Sequence, residues 1–554
     1  MKYNRILVVT TMMLTGLSAV EALGQPNDRR FLAADASQRA DLQNIQITNH
    51  QAEYVGQAFD LDQPWEQDLR VNYPGSTVWD SENNEYRMYY EVVIGGDRPN
   101  SESLIDRHLA LATSPDGINW TRPALNITGS NYSDNPQNNF ISIAGTTFAN
   151  GATVFIDPTA SGDQRYKITY RDFQQSGGLL LITGISSDGL NFQPVGQIDD
   201  LTDRTRGFDS QNVAFWDPID SQYKSYARVW YNSPDRRGVV LHANDTWEGT
   251  WDANRQLILD PDSLYNDGAN TQLYTPGISP YHGQYIGLPS VYHEARSDGR
   301  ISTGLLHSAD GENFVAADSA QDFFDTLVHA PNGDDFQLYA QPTIIEREDE
   351  LLFYYSYLDQ NHEAADEVFI DLDYQSGLHI ARLRRDGFTS FDSVGSETAT
   401  WLTDVISLTS DADFLELNAI IVGGLTAEVL DAQTLEVISG FSLAQSSELS
   451  AGDWLDGQLR WSGVSLSDLS GEDVRFRFHF EDSSVFSFTI TASEPSTGVL
   501  KGDTNLDGVV NFLDIAAFIA VLGGGGYQAE ADADCNGVVD FRDIAAFIVI
   551  LTNN

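Results

Sequence analysis

The chain has 554 residues, 41% of them hydrophobic and 11% aromatic, which is enough for two or three packed domains and excludes a disordered chain. Its formal net charge is -50, from 81 acidic and 31 basic residues, a field that repels nucleic acid and anionic membrane surfaces. The only cysteine is Cys535, so no intrachain disulfide can form.

In chain order, the first expected element is a secretory signal over residues 1–24. Lys2 and Arg5 give a basic start, Ile6 to Val20 form an apolar stretch too short for a membrane anchor, and Ala22-Leu23-Gly24 offers a small-residue cleavage site. The expected location is outside the cytoplasm: secreted, extracellular, cell-surface or periplasmic.

Residues 31–395 repeat a pattern. "SPDGINW" holds Asp116, "SSDGLNF" Asp188, "ANDTWEGTW" Asp245, "SADGENF" Asp310 and "RRDGFTSF" Asp386, at spacings of 72, 57, 65 and 76 residues. Each follows an apolar run such as "HLALAT" or "LLLITGI". Asp bonds the backbone ahead of it and Gly accepts positive φ, so each segment reads as strand, tight turn, strand. A second hairpin lies upstream in each unit, for example "VWDSENNEYRMYYE" and "AFWDPIDSQYKSYAR". Two hairpins per unit make a four-stranded meander, and five units predict a mainly β fold, a five-bladed β-propeller.

Residues 396–493 change texture. "DVRFRFHFEDSSVFSFTI" alternates apolar and polar residues with period two, which predicts a β-sandwich packed on the propeller. "SEPSTG" then reads as a linker, 494–499.

The last segment, 500–554, contains one motif twice. "DTNLDGVVNFLDIAAFI" (503–519) recurs 29 residues later as "DADCNGVVDFRDIAAFI" (532–548). Oxygen donors fall at loop positions 1, 3, 5, 9 and 12: Asp503, Asn505, Asp507, Asn511 and Asp514, then Asp532, Asp534, Asn536, Asp540 and Asp543. Val509 and Val538 offer carbonyls at position 7, and Gly508 and Gly537 supply the turn at position 6. A hard cation takes six to eight oxygens, and this spacing turns alternate residues inward, so two Ca2+ ions are expected, followed by short helices.

These paired loops resemble a type I dockerin, the duplicated loop–helix module of secreted polysaccharide-degrading enzymes. The resemblance implies a small α-helical calcium-binding module and a cohesin-like protein partner. The front of the chain resembles the five-bladed propeller glycoside hydrolases of the arabinanase, xylosidase and invertase type, through its unit count and "SxDGxxW/F" turns. That implies a poly- or oligosaccharide substrate, cleaved by a carboxylate pair in the propeller funnel, with no cofactor for catalysis and no nucleic-acid or membrane partner. The chain departs from those families: it has no "NDPNG" or "RDP" signature, and Asn72 or Gly75 stands where an inner-strand Asp of the first blade is expected.

Glycoside cleavage needs one carboxyl to protonate the leaving oxygen and another to act as base or nucleophile. The candidates are Asp209, leading into the inner strand of the third unit in "RGFDSQNVAFWDP", and Glu294, Glu91 and Glu66. Substrate-binding candidates are Arg171, Arg228, His293 and Trp65, with Asp172 and Gln341 behind them. Three other readings remain, one of them a structural scaffold, which would show a plugged or featureless funnel. A carbohydrate-binding propeller without catalysis would show aromatics but no paired carboxyls, and a sialidase-like hydrolase would use Arg171, Arg228 and Arg206 to clamp a carboxylate.

Overall fold

The computed structural model describes residues 29–492 outside the segments 67–68, 95–106, 128–136, 147–148, 174–178, 202–206, 232–235, 252–253, 266–270, 294–298, 318–321, 325–335, 361, 363–374 and 396. Beyond 492 it describes 504, 510, 514–525, 531, 533, 539, 543–544, 547–548 and 551. The expected signal segment and linker lie outside the described residues. Two compact units are present: residues up to Thr491 other than 411–413, and residues 411–413 with those from Ala492 onward.

The first unit is mainly β, with curled, mostly antiparallel sheets. Meander one begins with an inner strand in two parts, Leu69–Val71 and Ser76–Asp80, and continues through Glu85–Ile94 and Arg107–Ser114. The second runs through Asn150–Ile156, Tyr166–Phe173, Leu179–Ser186 and Asn191–Leu201. Val213–Asp217, Gln222–Tyr231, Arg236–Asn244 and Gln256–Leu259 form the third. The fourth is broken into short pieces, with Ile278–Tyr281 paired to Gln284–Gly287 and Thr271–Leu273 to Ser290–His293. In the fifth, Gln337–Glu346, Glu350–Leu358 and Ser376–Arg384 are completed by Glu53–Gln57, a strand from the far N-terminal side. Ser76–Asp80 packs against Asn150–Ile156 on one side and Gln337–Glu346 on the other, so the meanders form a closed ring.

The Asp-Gly turns follow from side-chain chemistry. Asp116 Oδ1 accepts from the Ile118 and Asn119 amides at 2.9 and 2.8 Å, its Oδ2 from Asn119 Nδ2 at 2.7 Å, and Ser114 Oγ donates to it at 3.0 Å. Asp188 and Asp310 repeat the set with Ser186 and Asn191, and with Ser308 and Asn313. Asp386 departs from it. It has no serine two residues earlier, takes φ 59°, and accepts from Tyr281 Oη and Ser487 Oγ, both at 2.6 Å. This fifth copy joins the ring to the neighbouring β domain.

A second repeated device clasps successive meanders. Each of the first three ends its inner strand on a buried Asp that receives a tyrosine hydroxyl from the next meander: Tyr166 to Asp80 at 2.5 Å, Tyr223 to Asp157 at 2.6 Å and Tyr285 to Asp217 at 2.7 Å. A buried cation completes each clasp. Arg165 and Arg87 serve Asp80, Lys167 lies 3.6 Å from Asp157, and Lys224 lies 2.8 Å from Asp217. Two of the chain's four lysines are thus spent inside the ring. Burial works to raise the Asp80 carboxyl, but hydrogen bonds from Tyr166, Asn83 and Arg165 and the charge of Arg87 outweigh it and hold it at about 2.

The sandwich is larger than residues 396–493, and the boundary expected at residue 31 is corrected accordingly. Arg29–Leu32 pairs with Ser484–Ala492, Asp41–Gln43 with Ala399–Leu402, and Ile45–Asn49 with Thr389–Ser393, which itself pairs at Phe391 and Asp392 with Val485 and Ser484. Residues 29–49 and 389–393 therefore belong to the sandwich sheets. The alternation of Phe476, Phe478 and Phe480 does bury one face of Asp473–Phe480. Trp401 fills the centre, with ring centroids 4.8 Å from Phe391, 4.9 Å from Phe478 and 5.4 Å from Phe488, contacts worth about 0.5–1.5 kcal/mol each beyond area burial.

In the second unit the repeated segments pack on each other. Phe518, in the helix Asp514–Ala520, and its counterpart Phe547 stack with centroids 3.8 Å apart, over Ala531 and Leu551. Asp514 and Asp543 are both fully buried. Another residue pair from the duplication, Ile519 and Ile548, stays 60% and 53% exposed, beside Ile515 and Ile544.

Candidate active site

The site forms where the inner strands begin. Between the two parts of the first inner strand, residues 72–75 step out of register, and Gly75 (φ 65°) allows it: a Cβ there would lie 1.9 Å from the Tyr89 carbonyl. Gly151 (φ 59°) plays the same part in the second meander, where a Cβ would meet the Ser210 carbonyl at 2.0 Å. These close approaches bring the Gly151 amide and the Asn72 side chain onto the Glu91 carboxylate. Gln211 and Gln341 hold the step in place, Gln211 Nε2 donating to the Gly75 carbonyl at 2.7 Å and Gln341 Nε2 to the Pro74 carbonyl at 2.6 Å. Gln341, expected near substrate, serves here as a latch between the first and last meanders.

Glu91 is fully buried beneath this step. Its Oε1 accepts from Asn72 Nδ2 at 2.8 Å and from Arg107, and its Oε2 accepts from the Gly151 amide at 2.6 Å. Asn150 Nδ2 lies 3.5 Å from the same carboxylate, and Asn150 Oδ1 accepts from Arg171 at 3.0 Å. Arg171 Nη1 in turn donates to Asp209 Oδ1, while Arg228 Nη2 lies 3.7 Å from Asp209 Oδ2. One continuous polar chain thus runs Arg107, Glu91, Asn150, Arg171, Asp209, Arg228.

Asp209 is the solvent-facing member. Its side chain is 57% exposed, with neighbouring protein close enough to withdraw part of its hydration. That enclosure works to raise its carboxyl, and the charges of Arg171, Arg228 and Arg107 with the Arg171 hydrogen bond outweigh it, so the group stays below the usual carboxylate value. It is ionised at any ordinary pH. Glu91, with both oxygens engaged by donors, is placed to position Arg107 and Asn150 rather than to meet a ligand.

Aromatic rings stand beside these charges. Tyr73 and Tyr339 meet edge-to-face at 5.0 Å, and Tyr274 and Tyr292 at 5.9 Å. His362 Nε2 lies 2.7 Å from Tyr274 Oη. Arg237 lies over Trp230 at 4.0 Å and over Tyr274 at 4.8 Å. Burial pushes the Tyr73 hydroxyl up, with the charge of Asp209 adding to the effect, so it remains a neutral donor.

The other sequence candidates are placed elsewhere. Glu66 lines a separate cavity of about 420 Å³ with Gln57, Arg70, Tyr357 and His379, where it accepts from the Gln63 amide at 2.9 Å and pairs with Arg122 at 3.0 Å. Burial raises its carboxyl above the ordinary value, against the pull of Gln63 and Arg122. Trp65 donates to Asn139 Oδ1 at 3.0 Å. Asp172 lies next to Arg171 in the strand, so it points to the opposite sheet face, towards Tyr170, whose hydroxyl its charge helps to raise. His293 ends the strand Ser290–His293 opposite Thr271. Glu294 and Arg206 lie outside the described residues, as do ten of the twelve calcium-ligand positions, all but Asp514 and Asp543. Among the described residues no three His, Cys, Asp or Glu side chains gather in a metal-binding group. Reading from sequence missed Arg107, Asn150 and the aromatic set.

No family model matches the sequence, and no curated protein matches it. Solved structures match in outline. An N-acetylgalactosamine deacetylase from F. plautii, in complex with blood group B trisaccharide, is 13% identical, with 62% of this chain and 97% of that chain covered and a TM-score of 0.40. A glycoside hydrolase family 43 arabinoxylan arabinofuranohydrolase from Bacillus subtilis, in complex with cellotetraose, is 13% identical, covering 76% and 96% at a TM-score of 0.33. A fructofuranosidase from Schwanniomyces occidentalis, complexed with fructosylnystose, is 10% identical, covering 79% and 100% at a TM-score of 0.36.

Proposed function

We propose that the chain is a secreted glycoside hydrolase whose ring is a five-bladed propeller and whose channel, at the inner-strand starts, binds a poly- or oligosaccharide. The observation that carries this reading is Asp209: a solvent-reachable carboxylate held below the usual range by Arg171 and Arg228, with tyrosines and a tryptophan nearby. A carboxylate so held suits the base or nucleophile of glycoside cleavage, and aromatic faces suit sugar rings. The proton donor is then a glutamate. Glu294 is the favoured one, because the strand leading to it carries Tyr292 in the aromatic cluster. Incubating the protein with a panel of plant and algal polysaccharides and measuring new reducing ends tests the reading. Binding without release of any reducing end favours a carbohydrate-binding propeller.

The C-terminal unit is proposed to be a dockerin-like module that holds two Ca2+ ions. Asp514 and Asp543 fit that role, since each carboxylate is fully buried, at equivalent places in the duplication, where a cation would offset its charge. The exposed pairs Ile515 with Ile519 and Ile544 with Ile548 give two like apolar faces for a cohesin-like partner. Calorimetric titration of the full chain with Ca2+ should show two sites, both lost in Asp514→Asn plus Asp543→Asn. One site or none in the unaltered chain would count against the module.

A further inference from the structure

Arg228 is the cation that the ring explains least. Its side chain is 2% exposed, its Nε is buried without a hydrogen-bond partner, and its nearest carboxylate oxygen, on Asp209, is 3.7 Å away. No acceptor among the described residues takes a hydrogen bond from its guanidinium; the group rests 5.2 Å from the centroid of Tyr274 and 5.7 Å from that of Trp230. A buried guanidinium with its donors unused is costly unless an anion reaches it. The two nearest described carboxylates are engaged by other groups: Glu91 by Asn72, Arg107 and the Gly151 amide, and Asp209 by Arg171.

We infer that the channel selects an acidic glycan, one whose sugar carries a carboxylate or sulfate oxyanion that is received by Arg228 with Arg171 beside it. The inference rests on the proposed glycan site and adds the class of sugar. Planar guanidinium groups bind both oxyanions through paired N–H donors, and the site's low exposure strengthens such bonds. A neutral sugar would leave Arg228 as it is now. The polyanionic surface repels such a ligand at long range, so recognition has to be local.

The test is binding, read apart from hydrolysis. An array of matched glycans, each neutral oligosaccharide printed beside its uronate and its sulfated form, is probed with the full chain and with Arg228→Gln and Arg228→Lys. The acidic forms are expected to bind more tightly than their neutral partners, and Arg228→Gln to weaken the acidic forms about 10- to 100-fold, more than it weakens the neutral ones, so that the preference is lost. Preference for uronates over sulfates, or the reverse, identifies the oxyanion. The proposal is overturned if no acidic glycan on the array is held more tightly than its neutral partner by the unaltered protein, a result that needs no variant to fold. It is also overturned if Arg228→Gln, folded by circular dichroism, keeps the preference. Hydrolysis of neutral polysaccharide alone would sink this inference and leave the proposed function standing.

Discussion

Asp209→Asn is expected to lower kcat by a factor of about 100 to 10,000 on whichever glycan the protein cleaves, with little change in KM and in the thermal midpoint. The exchange keeps size and hydrogen-bonding capacity but removes the charge that Arg171 and Arg228 now share. Because the side chain faces solvent, the fold should lose less than at a fully buried carboxylate such as Asp80. Glu91→Gln provides the contrast. It removes a charge that is fully buried against Arg107, so it should lower both activity and stability. Near-normal kcat in Asp209→Asn would reduce that residue to a strand-entry turn, and equal stability losses in both variants would make Asp209 merely structural.

Asp80→Asn is expected to be the most destabilising conservative change in the ring, by about 3–5 kcal/mol in urea unfolding, because it leaves Arg165 and Arg87 without their shared buried anion. The amide would also turn a donor toward groups that all donate: Tyr166, Asn83 and Arg165. Asp62→Asn is the control. That carboxylate also pairs with an arginine, Arg122, but is 67% exposed, so its loss should cost at most about 1 kcal/mol. The same clasp predicts the acid limb of stability. With a folded value near 2 against an ordinary 3.8, Asp80 contributes fully above about pH 4, and the contribution fades as pH falls from there towards 2. In Asp80→Asn that part of the pH dependence should be flattened.

What was legible in the sequence is what is local. The turns around Asp116, Asp188 and Asp310 are built from a serine, an aspartate and an asparagine within six residues, so their spacing alone announces them. Period-two alternation marked Asp473–Phe480 for the same reason. The clasps left a visible trace that reads as something else: "DP" after Asp157 and Asp217 looks like a turn signal, and only the ring shows that a tyrosine from the next meander arrives there. The polar chain through Arg107, Glu91, Asn150 and Asp209 left no trace, since its members are dozens of residues apart and meet only because Gly75 and Gly151 let two inner strands bend inward. The sandwich boundary failed similarly. Strands near residue 30 and residue 488 pair across the whole ring sequence, and no local pattern encodes a partner that distant.

The strand Glu53–Gln57, which completes the fifth meander beside Ser376–Arg384, has a consequence for how the molecule is made. It is among the first strands to leave the ribosome, yet its partner is synthesised more than 300 residues later. Until then it is an unpaired edge, able to join the wrong neighbour or another copy of itself. Closure of so long a loop is slow, and an acidic chain that repels its own copies gains time for it.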